Sequence, residues 1–352
     1  MIQMLLDGPL PDVKLHHVRM SFSDNMDQVG RFQLSKLWHL VYLIVCIAKA
    51  RIQFGAAILY YPPAGPNRVP VFRDIVLLLS TRWMFRKTVF HFQASGVSEL
   101  IPKLPLPIRI LAQWAYSKPD VAIQLSPLTT PDATYFKARK ICTVPNAAYD
   151  LSSQFVRSRD AAADTEPARI LYVGTVCEAK GMLVLLDACS QLKTWGSRFH
   201  LDVVGSFQPS QFSTAVQACI EDRDLTEHVT IHGQKTGDSK WNMFANADMF
   251  CFPSHYESEG FPCVLVEAMC FSLPVVSTRW RGIPSIVEED LTGYLVDTGD
   301  SKALALQLQR LILDPIAARK MGIAGRERFE SKLSSTKHLE QMRQIFLELS
   351  PG

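Results

Sequence analysis

Short apolar runs that end on glycine or proline and hand over to helix-like segments constrain this chain more than any other feature. From residue 168 onward they come in series: 168–174 (ARILYVG), 199–205 (FHLDVVG), 229–232 (VTIH), 249–253 (MFCFP), 274–277 (PVVS) and 293–296 (GYLV). Each is too short for an ordinary helix, and near-continuous apolar character marks a strand buried on both faces. Helical patterns lie between them at 182–193, 212–221, 240–247 and 302–313. Strands that alternate with helices at this spacing form βαβ units, so a parallel sheet is expected.

The first half follows the same rhythm less regularly. Residues 1–6 are mostly apolar and read as the end of a helix stopped by Asp7-Gly8-Pro9. Strands are expected over 13–20, 56–60, 87–92, 121–125 and 141–144, a polar loop over 21–30, and helices over 32–52, 73–82 and 108–117. Residues 152–167 (SSQFVRSRDAAADTEP) are polar, small and without a period, which marks a connection. With 352 residues, two domains can each bury a core. The expected division is a first domain over 1–151, a linker over 152–168, a second domain over 169–330, and a carboxyl-terminal helix over 331–352 that crosses back to the first.

Composition excludes several classes. The eight cysteines form no CxxC pair and no Cys/His cluster with zinc spacing, which points to a reducing compartment and a cytoplasmic location. The longest apolar run, 37–48, has 12 residues, short of the roughly 20 needed to cross a bilayer. Neither GxxxxGK[ST] nor GxGxxG occurs. Charge is unevenly placed: residues 1–168 carry 19 Lys and Arg against 12 Asp and Glu, whereas 169–352 carry 18 against 22. A basic first half suits anionic lipid or a phosphorylated acceptor. An ordinary solvated surface with uneven charge is the plainer reading.

Two loops carry chemistry. The first, 174–181 (GTVCEAKG), leaves a strand and enters a helix; its glycines let backbone approach a ligand, and Lys180 can neutralise phosphate. The second is 254–269 (SHYESEGFPCVLVEAM), where Glu259 and Glu267 stand eight apart around a helix start with Pro262 in its first turn. Free N–H groups at that start make an anion site, and the adjacent carboxylates can hold hydroxyl groups. Taken singly, each loop also reads as an ordinary charged helix entry.

Taken in order, from Gly174…Lys180-Gly181 through LDVVG, VTIHG and MFCFPS to Glu259…Glu267 and LPVVS, the series resembles the retaining glycosyltransferases of family 4. That resemblance implies the GT-B fold, two facing Rossmann-like domains with parallel sheets. It covers nearly all of 169–330, and its EX7E motif is specific. In the first half it rests on 87–92 with His91, the strand ending at Ser126, and Val144-Pro145-Asn146.

The resemblance also implies roles. Glu267 would hold the nucleotide ribose, and Glu259 the transferred sugar. Backbone N–H groups of Gly260 and Phe261, with Lys180, would hold the diphosphate, and His232-Gly233 would lie near the base. Gly174, Thr175 and Gly205 complete the donor loops, and His91 would contact the sugar from the first domain. Plainer readings stand beside two of these: His232 as a solvated turn residue, and His91 as a partly buried histidine at a strand end. The family's mechanism is a front-face one, so neither glutamate is expected as a nucleophile. No cofactor and no metal are expected.

Three departures qualify the likeness. Thr175 stands where the family usually has an arginine, which leaves Arg279 or Arg281 to supply that contact. The later loop reads TRWRGIPSIV where paired glycines are commoner. The family's first strand and its glycine loop are missing, so the expectation is a first domain without its first strand, through a misplaced start or a real loss. The expected partners are a nucleotide-diphosphate sugar and a carbohydrate or lipid-linked acceptor of surface polysaccharide assembly, with peripheral attachment to the cytoplasmic face of a membrane. Nucleic acid is not among them. The alternative is a catalytically silent GT-B relative acting as a binding or scaffold subunit.

Overall fold

The computed structural model describes residues 1–20, 34–157 and 166–350, so the loop expected over 21–30 and the middle of the expected linker lie outside the described residues. The chain divides into two compact units, Met1–Pro145 with His338–Gly352, and Asn146–Lys337. The division falls at Pro145–Asn146, ahead of the stretch expected as linker. Asn146 already belongs to the second unit, where its side-chain amide donates to the Phe261 carbonyl at 3.0 Å.

In the first unit four parallel strands stand side by side in chain order: β1 (Ile58–Tyr61), β2 (Lys87–Phe92), β3 (Val121–Gln124) and β4 (Lys140–Thr143). Helices α1 (Ile2–Asp7) and α2 (Leu34–Phe54) precede them. The crossovers are α3 (Arg68–Thr81), then α4 (Val97–Leu100) with α5 (Leu106–Tyr116), then α6 (Asp132–Tyr135). Right-handed crossovers that always step the same way put α3 and α5 on one face of the sheet, and α2 packs beside α3 there. Leu43, Ile47, Leu77, Leu78, Phe90 and Tyr116 build the core between them.

Buried Asp74 of α3 ties this core together. It accepts hydrogen bonds from Tyr61 Oη and the Ala64 N–H at 2.7 Å, Tyr116 Oη at 2.9 Å and Arg73 Nε at 2.8 Å. A buried carboxylate is tolerable only when so surrounded.

Residues 13–20 form no strand, contrary to expectation. A strand needs a neighbour's ladder, and the free edge of β1 is separated from this segment by a cavity of about 440 Å³ that both line. The sheet therefore begins at β1, with no strand before it among the described residues.

The second unit holds six parallel strands, β5 (Ala168–Val173), β6 (Phe199–Val204), β7 (Val229–Ile231), β8 (Met249–Phe252), β9 (Val275–Thr278) and β10 (Gly293–Val296). Their order is β10-β9-β8-β5-β6-β7. The helices are α7 (Met182–Thr194), α8 (Phe212–Asp222), α9 (Asp238–Asn246), α10 (Cys263–Cys270), α11 (Ser301–Leu313) and α12 (Pro315–Arg328). The chain winds outward from β5 through β6 to β7, then returns to the other side of β5 with β8 and winds outward again. The switch point lies between β5 and β8, and in such sheets ligands bind outside the strands' carboxyl ends at that point.

The carboxyl-terminal segment, expected as helical, is interrupted. A π-helical turn at Phe329–Leu333 separates α12 from α13 (Ser335–Leu349). From His338 on, α13 belongs to the first unit, where Phe346 meets the Tyr60 ring edge-on with centroids 5.7 Å apart.

Candidate functional site

The loops after β5 and β8 leave the sheet at the switch point in the second unit, and a glycine brings them together. Gly181 has φ of +77°, and a Cβ added there would lie 2.1 Å from the Pro253 carbonyl oxygen. Only glycine fits that approach. The His255 N–H donates to the Ala179 carbonyl at 2.9 Å and fastens one loop to the other. Lys180, held by this contact, pairs with Glu259. Ser254 Oγ donates to the same Glu259 oxygen at 2.9 Å, and the Lys180 ammonium lies 4.7 Å from the Tyr256 ring centroid. Glu259 is only 8% exposed, so its charge is compensated rather than solvated.

A second acid–lysine pair sits one turn into α10. Pro262 caps the helix rather than lying in its first turn, and Cys263 is the first helical residue. Glu267 projects from the next turn, and Lys240 of α9 donates to its Oε1 at 2.7 Å. The ammonium is also 2.7 Å from Oε2, so the lysine faces both carboxylate oxygens. Burial raises the Glu267 pKa above its ordinary 4.5, while Lys240 pulls it down. Burial likewise pushes the Cys263 thiol up to about 11, and it feels Glu267, Lys240 and Glu259 together. Both pairs therefore surround the start of α10, whose first N–H groups have no intrahelical partner.

Three strand ends form the opposite wall. The Gly174 N–H donates to the Val204 carbonyl at 3.0 Å, and the Gly205 N–H to the Gly233 carbonyl at 2.9 Å. A Cβ on Gly205 would lie 1.7 Å from the Gly174 carbonyl oxygen, so this wall is bare backbone by necessity. His232, at the end of β7, bonds buried Asp202 through Nε2 at 2.7 Å, which fixes its ring. Thr175 accepts a hydrogen bond from Tyr172 Oη on its carbonyl at 2.8 Å.

The sequence-derived residues Gly174, Thr175, Lys180, Gly205, His232, Gly233, Glu259, Gly260, Phe261 and Glu267 thus share the carboxyl end of one sheet. His91 lies in the other unit. It belongs to the first unit and is 0% exposed, with Nδ1 hydrogen-bonded to Tyr60 Oη at 2.7 Å and its ring stacked on His338. Burial holds its imidazole down to about 3, so the ring is neutral. Arg279, considered as a phosphate ligand, spends its guanidinium on Glu289 at 2.8 Å and the Leu295 carbonyl.

Sequence reasoning missed Lys240, Ser254 and Asp202. Ser254 opens the 254–269 motif and Asp202 lies in the 199–205 strand, but each acquires its role from a partner brought close by the fold. A cavity of about 1,080 Å³ also opens in the second unit, at the amino-terminal ends of the strands beside Ala168, Met249 and Pro274. It contains none of the paired acids and lies at the wrong end of a parallel sheet for a ligand.

Residues 154–328 match the family of glycosyl transferases group 1. Over this stretch the chain belongs to that family. Among curated relatives, the amylovoran biosynthesis glycosyltransferase AmsK of Erwinia amylovora is 32% identical over 189 residues, which is 53% of this chain and 46% of AmsK. The capsular polysaccharide biosynthesis glycosyltransferase CapM of Staphylococcus aureus is 31% identical over 187 residues, 51% of this chain and 47% of CapM. The match thus spans less than half the length of these relatives. The crystal structure of Anabaena Alr3699/HepE in complex with UDP aligns with a TM-score of 0.71 at 17% identity, over 89% of this chain and 84% of that one. That likeness shows the GT-B fold. The matched region contains both acid–lysine pairs and the whole glycine wall.

Proposed function

We propose that this chain is a retaining glycosyltransferase of family 4 type that moves a sugar from a nucleotide-diphosphate sugar to a carbohydrate or lipid-linked acceptor in surface polysaccharide assembly. The observation that carries the proposal is the pair of buried carboxylates, Glu259 with Lys180 and Glu267 with Lys240, set around the start of α10. The Glu267 carboxylate, kept ionised by Lys240, suits a ribose hydroxyl, which donates to it. Phosphate fits the N–H groups at Gly260 and Phe261, where the helix dipole and Lys180 favour negative charge. HepE was solved with UDP, and AmsK and CapM are named for polysaccharide biosynthesis, which favours a nucleotide donor and that acceptor class.

The chemistry follows from charge. As the bond from the anomeric carbon to the diphosphate oxygen breaks, negative charge grows on the leaving phosphate. Lys180 and the α10 N–H groups stand where it develops and stabilise it without reorganising. The acceptor hydroxyl attacks on the same face, and its proton passes to the departing phosphate oxygen. Glu259, held by Ser254, orients sugar hydroxyls rather than attacking carbon. The diphosphate is held here without a divalent cation.

The deciding experiment incubates the chain with a panel of UDP-, GDP- and ADP-sugars and a lipid-linked or oligosaccharide acceptor, with and without chelator. Product of retained anomeric configuration, formed equally with chelator, is expected. Inverted product, or activity abolished by chelator, would remove the corresponding half of the reading. Donor binding without any transfer would favour a silent scaffold relative instead.

A further inference from the structure

Among the described residues, one face of the first unit has no partner within the unit, although it has the composition of an interior. Helices α2, α3 with the following turn Arg82–Met84, and α5 carry fourteen of the twenty-six large hydrophobics exposed among the described residues. These elements are also apolar on their inner sides, where Leu43, Leu78 and Ala112 enter the core. The outward residues fall at helical spacing: Trp38, Tyr42, Val45 and Ile52 on α2; Phe72, Val76, Leu79 and Trp83 along α3 and its turn; Ile110 and Trp114 on α5. Each helix therefore carries a second apolar stripe opposite the one it buries. The three lie in one layer, since α3 packs against both α2 and α5.

Charge on this layer has one sign. The same segments contain seven Lys and Arg, and the single acid, Asp74, is buried within the core. Lys49, Arg68 and Arg109 are exposed among the stripes. The tryptophans are the most telling: Trp38, Trp83 and Trp114 are 78%, 77% and 67% exposed. Such rings are unfavourable in water but well placed at the level of lipid headgroups. No helix among the described residues is long and apolar enough to cross a membrane. An apolar, aromatic and cationic helical face that does not span fits the surface of an anionic bilayer. An apolar face for a protein partner would not require uniform positive charge.

We propose that the α2–α3–α5 face docks this chain onto an anionic phospholipid bilayer, with the three tryptophans seated among the headgroups. The proposal deepens the membrane-linked acceptor reading above and rests on it only for its purpose, because none of these residues belongs to the donor site. It is tested by flotation of the full chain with vesicles of phosphatidylglycerol in phosphatidylcholine, and with phosphatidylcholine alone. The wild-type chain should float with the anionic vesicles, sink with neutral ones, and be released by high salt. The triple variant Trp38→Ser/Trp83→Ser/Trp114→Ser should lose flotation, and Arg68→Glu/Arg109→Glu should weaken it. Unchanged urea unfolding of the first unit in these variants would certify that it is folded. Wild-type chain that stays at the bottom, or a triple variant that still floats, overturns the proposal. So does a wild-type dimer that the triple variant converts to monomer without any flotation, since the face then belongs to a second copy. A chain that binds UDP but does not float sinks this inference alone; one that floats without binding any donor sinks the donor-site reading alone.

Discussion

Lys240 donates to Glu267 Oε1 at 2.7 Å, and its ammonium lies 2.7 Å from Oε2 as well. The lysine keeps the acid ionised against the desolvation that raises its pKa. Replacing Lys240 by Met should therefore weaken UDP binding by about 1–3 kcal/mol, roughly 5- to 150-fold, because an unpaired buried carboxylate prefers its neutral form. Titration calorimetry with UDP measures this directly.

The same raised pKa gives donor binding a pH dependence. A ribose hydroxyl donates to the ionised carboxylate, so affinity is full above the Glu267 pKa and falls as the group takes up a proton. Because burial lifts that pKa above 4.5, the loss should begin at higher pH than for an ordinary glutamate. In Lys240→Met it should begin higher still. A UDP affinity that falls only in the ordinary glutamate range, in both proteins, would refute the assignment of Glu267 as the ribose ligand.

At Gly181 the loop geometry itself is testable. Alanine there must tolerate φ of +77° and a Cβ 2.1 Å from the Pro253 carbonyl, so the loop has to move away from β8. The strain is about 1–3 kcal/mol, and Lys180 moves with the loop. The expected result for Gly181→Ala is a lower melting temperature together with lost transfer. The control Gly196→Ala, also at positive φ but with open space around it, should change stability slightly and transfer not at all.

These cases show where the sequence is informative. The strands of the second unit were legible because each is a short apolar run bounded by Gly or Pro, and residues 87–92 likewise become β2 as expected. Except where β8 returns to β5, their ladders need only the neighbouring βαβ unit. The segment 13–20 (VKLHHVRM), where apolar residues are interleaved with polar ones, forms no strand, because pairing depends on an edge that local sequence does not specify. Lys180, Glu259 and Glu267 were legible as a spaced motif. Lys240 was not, since its partner lies 27 residues on and a lysine in an exposed-looking helix is unremarkable until the helices pack. Asp74 was hidden in the same way: it reads as an ordinary helical acid beside Arg73, and only the fold reveals two tyrosines aimed at it.

Asp74 should accordingly be the least replaceable acid of the first unit. Asp74→Ala strips Tyr61 Oη, Tyr116 Oη, the Ala64 N–H and Arg73 of one shared acceptor. Removing one partner of a buried ion pair costs about 3–5 kcal/mol. Urea unfolding should place most of that loss in the first unit, and UDP should still stabilise the second.

Acid should also attack the first unit through its histidines. Burial holds His91 down to about 3 and His338 to about 4, against an ordinary 6.5. The unfolded chain therefore binds more protons than the folded one between those limits. Stability from the two neutral rings is fully present above about pH 6.5 and is lost as pH falls through the window toward 4 and then 3. Each histidine contributes at most about 1.4 kcal/mol per pH unit. His338→Gln keeps a polar group of similar reach for the Pro145 carbonyl, to which His338 Nδ1 lies 2.9 Å, but cannot titrate. Urea midpoints for the first unit, measured from neutral pH to about pH 4, should fall less steeply in this variant than in the wild type. Parallel slopes would mean that His338 is as accessible to protons in the folded chain as in the unfolded one, contrary to its packing.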